Sequence, residues 1–256
     1  MKIFSNFKLR NFEMKNRIVM APMCTNFGIT SEKAIDYYTK RAKGGVGLII
    51  IENTSASLFE DDIFVSKITQ LSKSIHEHGS KVFMQLSVSP HTIANITRAD
   101  INEIDLLNEL TTSEIESCIK SLQKAAGVDI IHISAGVANT SDESVTPSKE
   151  APFGVFSDYA ATIKRHVSVP IISVGKNHNV EICESILHDN KADLIAVGRP
   201  LIADSNWLKK IKEGNIKDIN NCIYCNNCIR SISKGNYLNC TVNTIENRLT
   251  SSGYNR

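Results

Sequence analysis

The amino-acid sequence predicts an α/β protein with a TIM-type (β/α) parallel barrel, shortened to about six strands and followed by a C-terminal cysteine-cluster extension. Short continuous apolar runs alternate with amphipathic segments along most of the chain, which is typical of a parallel sheet with crossover helices. No G-x-G-x-x-G sequence follows the first apolar run. A closed barrel is therefore favoured over an open, doubly wound sheet.

Each predicted strand is a run in which Val and Ile are frequent. The runs are continuously apolar rather than alternating, as in strands that are covered on both faces. They lie at residues 17–21, 46–51, 82–86, 128–133, 169–174 and 192–197. A complete barrel has eight strands, so about two strands are missing.

The predicted helices have apolar residues at every third or fourth position, as in a helix with one buried face. They lie at residues 68–75, 115–126, 156–167 and 182–187. Ser113 with Glu116 is a candidate capping box, and Gly44 and Gly79 are predicted helix stops.

The pattern also predicts how the chain divides. Residues 87–111 are polar and turn-like, and no strand is predicted there. From about residue 206 the sequence changes to a Lys-rich helix and then to a group of cysteines. We therefore expect a shortened barrel over residues 1–205, and a helical and cysteine-cluster extension packed on it over residues 206–256.

The composition excludes several classes of partner. With 29 Lys and Arg against 27 Asp and Glu, the net charge of +2 provides no basic surface for nucleic acid or anionic membranes. No apolar run approaches the roughly 20 residues that cross a bilayer, and the first residues lack the apolar core of a secretory signal. We therefore expect a cytoplasmic protein that acts on a small molecule.

Seven cysteines in a chain with no export signal indicate metal or redox chemistry rather than disulfides. Four of them form the pattern C-x2-C-x2-C-x11-C: Cys222, Cys225, Cys228 and Cys240. Three evenly spaced thiolates in one tight loop suit a [4Fe-4S] cluster. The alternatives are zinc, which usually takes its ligands from two separate C-x2-C loops, and buried structural cysteines. Cys118 and Cys183 lie on apolar helix faces and are expected in the core.

Five segments together are similar to one known family. They are residues 15–23, 38–50, 85–86, 192–204 and 222–226. In this order they resemble the Old Yellow Enzyme family of NADH:flavin oxidoreductases, in its iron–sulfur branch, which includes 2,4-dienoyl-CoA reductases and 2-enoate reductases. The resemblance implies that the barrel of residues 1–205 binds FMN and that the chain carries a [4Fe-4S] cluster. Electrons would pass from NAD(P)H or a redox partner to a small enoate- or enone-type acceptor. The family's C-terminal nucleotide-binding region has no counterpart here.

The resemblance also assigns cofactor-binding residues. It places Ala21, Pro22, Met23 and Cys24 against the flavin ring, Gln85 on the flavin pyrimidine, and Gly175, Gly198 and Arg199 on the FMN phosphate. The phosphate assignment has independent physical support. Barrel phosphate sites form at the carboxyl ends of the last two strands, where glycine lets N–H groups approach and arginine supplies bidentate charge.

The sequence departs from the family pattern at its middle. About two β-α units are missing, and with them the histidine pair, or histidine and asparagine, that binds the substrate carbonyl oxygen. The catalytic residues are therefore unknown, and His132 is expected to be a strand histidine rather than a catalytic acid. Without donors that polarise the acceptor, enoate reduction would be slow. A redox partner, a homo-oligomer or an altered closure would have to complete the barrel.

Two other functions stay open at this point. The chain could be a catalytically impaired remnant that binds a cofactor or a partner flavoprotein and relays electrons. It could also be a phosphate-binding barrel of metabolic type with a zinc-bearing tail.

Overall fold

The computed structural model describes residues 1–87, 129–134 and 146–244. The strands in these residues, in chain order, are β1 (Phe7–Leu9), β2 (Phe12–Met14), β3 (Ile18–Met20), β4 (Leu48–Ser55), β5 (Lys81–Ser87), β6 (Ile131–Ile133), β7 (Ile171–Ser173) and β8 (Leu194–Val197). The helices are α1 (Glu32–Lys43), α2 (Asp62–His76), α3 (Ser157–Lys164), α4 (Val180–His188), α5 (Arg199–Ala203), α6 (Trp207–Lys212) and α7 (Asn227–Ser233), with short 3-10 turns at Lys2–Phe4, Ala56–Glu60 and Ile216–Asp218.

Six of the strands form one sheet in the order β5-β4-β3-β8-β7-β6. The pairs β4–β5, β6–β7 and β7–β8 are parallel. Each of these strands falls inside or overlaps one of the six predicted apolar runs. The prediction of an α/β fold with about six barrel strands is therefore confirmed. The strands β3, β7 and β8 are completely buried and β4 is mostly buried, as in strands that are covered on both faces. By contrast, β5 is only partly buried, and its Leu86 is 52% exposed.

Contacts between residues divide the chain into two compact units. The described part of unit 1 comprises residues 1–5, 17–19, 129–134 and 146–197, and that of unit 2 comprises residues 6–16, 20–87 and 198–244. The boundary predicted near residue 205 stays a prediction.

Unit 2 contains α1 and α2, which begin at side-chain caps. The hydroxyl of Ser31 accepts a hydrogen bond from the N–H of Ala34 at 3.1 Å, and Asp61 accepts one from Ile63 at 2.8 Å. Gly44 follows the last residue of α1, and Gly79, with a φ of +71°, lies in the turn after α2. The two predicted helix stops are thus confirmed.

Unit 1 contains α3 and α4, close to the positions that the apolar periodicity predicts. The carboxylate of Asp193 accepts hydrogen bonds from the N–H of Ile171 at 2.9 Å and from Nζ of Lys164 at 2.7 Å. These contacts join the start of β7 to the segment that leads into β8. Cys183 is fully buried on α4, as expected of a core cysteine.

The hairpin of β1 and β2 is a feature that the sequence pattern missed. The two strands pair antiparallel, with Phe7 opposite Met14, and Arg10 in the turn has a φ of 51°. Each of these strands has a polar residue between two apolar ones, and three residues are too few to establish that alternation. The three-residue strands of the larger sheet were predictable because they lie within longer, continuously apolar runs.

Several sequence predictions lie outside the described residues. They are the helix at 115–126, the capping box of Ser113 and Glu116, the core position of Cys118, and the polar interval beyond residue 87. Within the part of the chain that is described, no helix combines the length and the apolarity that crossing a bilayer requires.

Candidate functional site

The four clustered cysteines of unit 2 surround one cavity. Cys222, Cys225, Cys228 and Cys240 line a space of about 290 Å³, counting the part that is open to solvent. Arg199 and Asn226 are also in its wall. None of the four cysteines is in a disulfide bond. The structure therefore places at one cavity the residues that the spacing predicts as ligands, although eleven residues separate the last of them from Cys228.

Backbone conformation explains how the three cysteines in one loop reach the same space. Tyr224 and Asn226 both have a φ of 55°, in the left-handed region, so the chain reverses twice between Cys222 and Cys228. The N–H of Tyr224 donates to Sγ of Cys222 at 3.4 Å. Asn226 precedes the first turn of α7, which carries Cys228.

The thiols have different ionisation properties. Burial, together with the neighbouring Cys222 and Cys240, raises the pKa of Cys228 to about 11, and burial also raises the pKa of Cys222. For Cys225, burial acts in the same direction, but hydrogen bonds from Thr241 and the Asn227 backbone outweigh it and lower the pKa. Four thiolates in one cavity would repel each other, so the site favours a cationic centre that neutralises them.

Gly198 and Arg199 follow β8 and begin α5. A Cβ atom at position 198 would lie 3.2 Å from Sδ of Met23 and 3.9 Å from Cβ of Ala21. Glycine therefore lets the backbone approach the loop after β3, which is made of residues 21–27 and which we call the β3 loop. Three of the residues assigned to flavin binding are in this way close together.

Arg199 is directed at the cysteine loop. Its Nη1 donates to Oδ1 of Asn226 at 2.6 Å, and its guanidinium carbon lies 4.5 Å from the centre of the Tyr224 ring. Only 8% of the residue is exposed. The cysteine spacing does not predict this contact, since Asn226 is a motif residue with no assigned role.

The β3 loop is held by a buried carboxylate that sequence analysis missed. Glu52, in β4, accepts hydrogen bonds from the Thr25 N–H at 2.8 Å and the Thr25 hydroxyl at 2.6 Å. The hydroxyl of Tyr38 donates to the same carboxylate at 3.2 Å. A charged residue directly after a continuous apolar run was the available signal, because buried carboxylates occur where hydrogen bonds satisfy them.

The other side of the β3 loop contacts the cysteine-containing segment. Nδ2 of Asn26 donates to the carbonyl of Asn236 at 2.8 Å and to that of Ile232 at 3.1 Å. The N–H of Leu238 donates to the carbonyl of Thr25 at 2.9 Å. These bonds connect the loop that carries Cys24 to the chain between Cys228 and Cys240.

Cys24 is exposed at the tip of the β3 loop, and its thiol donates to Oδ1 of Asn26 at 3.4 Å. Burial of part of the side chain and the charge of Glu52 raise its pKa. Cys24 is therefore a neutral thiol near neutral pH.

We expect alkylation of Cys24 to need a higher pH than alkylation of glutathione, because the thiolate is the nucleophile. The rate can be measured across a pH series by iodoacetamide labelling and peptide mapping. Glu52→Gln should move the profile towards lower pH, whereas Glu60→Gln, at an exposed position, should not. A wild-type profile at or below that of glutathione would contradict the raised pKa.

The remaining predicted residues are placed separately. Gln85 is half-buried in β5. Gly175 belongs to unit 1, with a φ of +121°, and a Cβ atom there would lie 2.7 Å from the ring of Phe156, so only glycine fits. Their cofactor roles stay predictions. Among the described residues His132 has no hydrogen-bond partner at Nε2, and burial lowers its pKa to about 4.

Comparison with known proteins identifies similar chains. The model of the NADH:flavin oxidoreductase / NADH oxidase family matches residues 2–135 and 102–218. The NADH oxidase of Thermoanaerobacter brockii is 27% identical over 96% of this chain and 56% of its own. The cinnamate reductase of Clostridium sporogenes is 21% identical over 94% of this chain and 57% of its own. A solved structure of 2-naphthoyl-CoA reductase is similar with a TM-score of 0.83, at 16% identity, over 98% of this chain and 58% of that one.

These relatives are longer than this chain. The chain spans little more than half of the length of each of the three. The alignment with the NADH oxidase extends over 372 positions, so at least 116 of them have no residue in this chain. The two matches to the family model overlap at residues 102–135. The expectation that internal parts of the family pattern are missing is thereby confirmed.

Proposed function

Because the chain belongs to the NADH:flavin oxidoreductase / NADH oxidase family, we propose that it is an FMN-dependent oxidoreductase with a [4Fe-4S] cluster. In this proposal Cys222, Cys225, Cys228 and Cys240 hold the cluster. Electrons pass from NAD(P)H or a redox partner to a small unsaturated acceptor. When bound, FMN supplies hydride chemistry and the cluster supplies one-electron chemistry.

The single observation that carries the proposal is the cavity that the four cysteines share. The hydrogen bonds from Asn26 and Leu238 join the chain around this cavity to the β3 loop. A centre in the cavity and a flavin on the loop would thus lie in one compact unit. That arrangement suits electron transfer between them.

The spacing of the cysteines favours a cluster over a single zinc ion. Three of the four lie in one loop of seven residues, which suits a [4Fe-4S] cube. Structural zinc usually takes its ligands from two separate C-x2-C loops. Among the described residues no three His, Cys, Asp or Glu side chains form a group that could hold a metal ion, so this preference rests on the spacing of the cysteines and not on the arrangement of their thiols.

The chain's own residues would serve FMN in distinct ways. Gly198 lies close to Ala21 and Met23. A flavin bound at the β3 loop would therefore be near the backbone that follows β8. The neutral thiol of Cys24 can donate a hydrogen bond without adding a charge. Gly175 and Gln85 keep the roles that the family resemblance gives them, whereas the guanidinium of Arg199 is directed at the cysteine loop.

The acceptor is proposed from chemistry of the relatives. One relative is named for reduction of cinnamate, an unsaturated acid, and a similar structure is a reductase of an aromatic CoA thioester. At least 116 positions of the NADH oxidase are absent here, which supports the alternative that the chain relays electrons with little turnover of its own. A partner or a second copy of the chain would supply what is missing.

Anaerobic purification with quantitation of iron and flavin tests the proposal. We expect a brown-yellow protein that contains about four irons per chain and releases FMN on denaturation. The acceptor is tested by following NADH oxidation with cinnamate present and absent. Reduction of the flavin with no turnover would favour the electron-relay alternative.

Elemental analysis of the same sample shows whether the protein holds zinc in place of iron. Zinc at one equivalent without iron, or a protein that takes up neither iron nor FMN during anaerobic reconstitution, would refute the proposal.

A further inference from the structure

We propose that Arg199 is the cation that balances the negative charge of the cluster in the cysteine cavity and thereby raises its reduction potential. This inference rests on the proposed function, because it needs the cluster to be present. It gives Arg199 a positioning and electrostatic role that differs from binding the FMN phosphate.

The first support is the position of the guanidinium. Arg199 lines the same cavity as all four cysteines. The hydrogen bond to Asn226 and the stacking on Tyr224 fix the side chain from two directions. Both contacts come from residues that lie between the ligand cysteines, so the orientation of the arginine depends on the ligand loop itself.

The second support is electrostatic. Burial lowers the pKa of Arg199, and the charges that act against this are those of Cys222, Tyr224, Cys228 and Cys225. A buried cation among ionisable thiols is strongly favoured once those thiols are deprotonated, because the local dielectric constant is low. The negative charges that stabilise the Arg199 cation are therefore those of the cysteine site.

The consequence for redox chemistry follows from charge. A [4Fe-4S] cube with four thiolates is negatively charged and gains one more negative charge on reduction. Net charge and hydrogen bonds around the sulfurs set the potential of such clusters. A fixed cation in the cavity wall stabilises the reduced form more than the oxidised form, so it raises the potential.

The chain offers a matched control for the charge. Arg230 lies on α7, and its charge acts on the thiol of Cys225, but the residue is exposed. Water and salt screen an exposed charge far more than a buried one. Removing Arg230 should therefore change the potential much less than removing Arg199.

The experiment is a redox titration of the reconstituted 256-residue chain, followed by the electron paramagnetic resonance signal of the reduced cluster. We expect Arg199→Gln to disfavour reduction at least tenfold, which is a fall of about 59 mV for one electron. Arg199→Lys should restore most of the potential, and Arg230→Gln should stay within about twofold of wild type.

A titration without FMN separates this role from phosphate binding. In protein reconstituted with iron and sulfide but without FMN, Arg199→Gln should still lower the potential of the cluster, whereas an effect that acts through the FMN phosphate would be absent. Iron content, measured on each variant, shows whether the cluster is present. The charge role would also be supported if Arg199→Gln lost its iron while Arg199→Lys kept its iron and had a potential close to that of wild type.

Three results would overturn the inference. They are a potential of Arg199→Gln within twofold of wild type, equal effects of Arg199→Gln and Arg230→Gln, and a lysine variant that either loses iron or behaves like the glutamine variant. Absence of iron from the wild-type chain would instead refute the proposed function.

Discussion

Cys228→Ser is expected to lose the iron–sulfur centre, with iron falling from about four per chain to less than one. Cys228 is buried in the wall of the cavity. A serine hydroxyl is a poor ligand for iron at neutral pH, so the cube loses one of the four ligands that anchor it and becomes labile. Iron analysis and the visible absorbance of the anaerobically reconstituted protein measure the loss.

The matched control for this substitution is Cys24→Ser. Cys24 is exposed on the β3 loop and does not line the cavity, so this variant should keep its iron. The comparison separates the loss of a ligand from the general loss of a thiol. Retention of the wild-type iron content by Cys228→Ser would show that the four cysteines do not act together.

Metal binding should also stabilise the chain around the cavity. Ligand binding to the folded state alone adds to its stability, and a metal site contributes its binding free energy to folding. The segment from residue 222 to 240 has only short helical structure, in α7. Proteolysis within this segment should therefore be faster in Cys228→Ser than in Cys24→Ser.

Much of the sheet could be predicted because burial on both faces leaves a strong mark in the sequence. The runs at 46–51 and 192–197 became β4 and β8, with every residue of β8 buried. The ends were less predictable, since β4 continues to Ser55, past the apolar run. Apolar residues define the buried part of a strand, whereas hydrogen bonds alone define its end.

The candidate site was predictable to the extent that it depends on local spacing. Three of the four cysteines lie in one loop, so the chain has to return to that loop only once to add the fourth. The structure places all four at one cavity. The contact of Arg199 with Asn226 joins residues that are 27 positions apart, and that of Thr25 with Glu52 joins residues 27 apart as well. Such pairings depend on how the strands and loops pack, which spacing does not encode.

Glu52→Ala is expected to destabilise the protein by about 3 kcal/mol or more, because buried donors without an acceptor each cost about 1–3 kcal/mol. The carboxylate accepts from the N–H and hydroxyl of Thr25 and from the hydroxyl of Tyr38. Thr25 and Tyr38 are fully buried, so water cannot replace the lost acceptor. The thermal midpoint should fall by roughly 6–12 °C, as measured by circular dichroism.

Two comparisons locate the effect in this network. Thr25→Val removes the hydroxyl donor and its hydrogen bond to Glu52, and it should lower the free energy of unfolding by about 1–2 kcal/mol. Glu60→Ala changes an exposed carboxylate and should stay within about 0.5 kcal/mol of wild type. Equal stability of Glu52→Ala and Glu60→Ala would show that the carboxylate does not hold the β3 loop.

Glu52→Ala should also weaken FMN binding, since the β3 loop that Glu52 holds carries Ala21, Met23 and Cys24. Loss of Thr25's hydrogen bonds lets the loop take other conformations, and FMN must then bind a less populated one. The dissociation constant, measured by flavin fluorescence well below the thermal midpoint of each variant, should rise for Glu52→Ala and not for Glu60→Ala. The loop also contacts Asn236 and Leu238. If Glu52→Ala loses iron as well as FMN affinity, an ordered β3 loop is needed to hold the cysteine segment in place; if it keeps its iron, the cysteine segment is held independently of the loop.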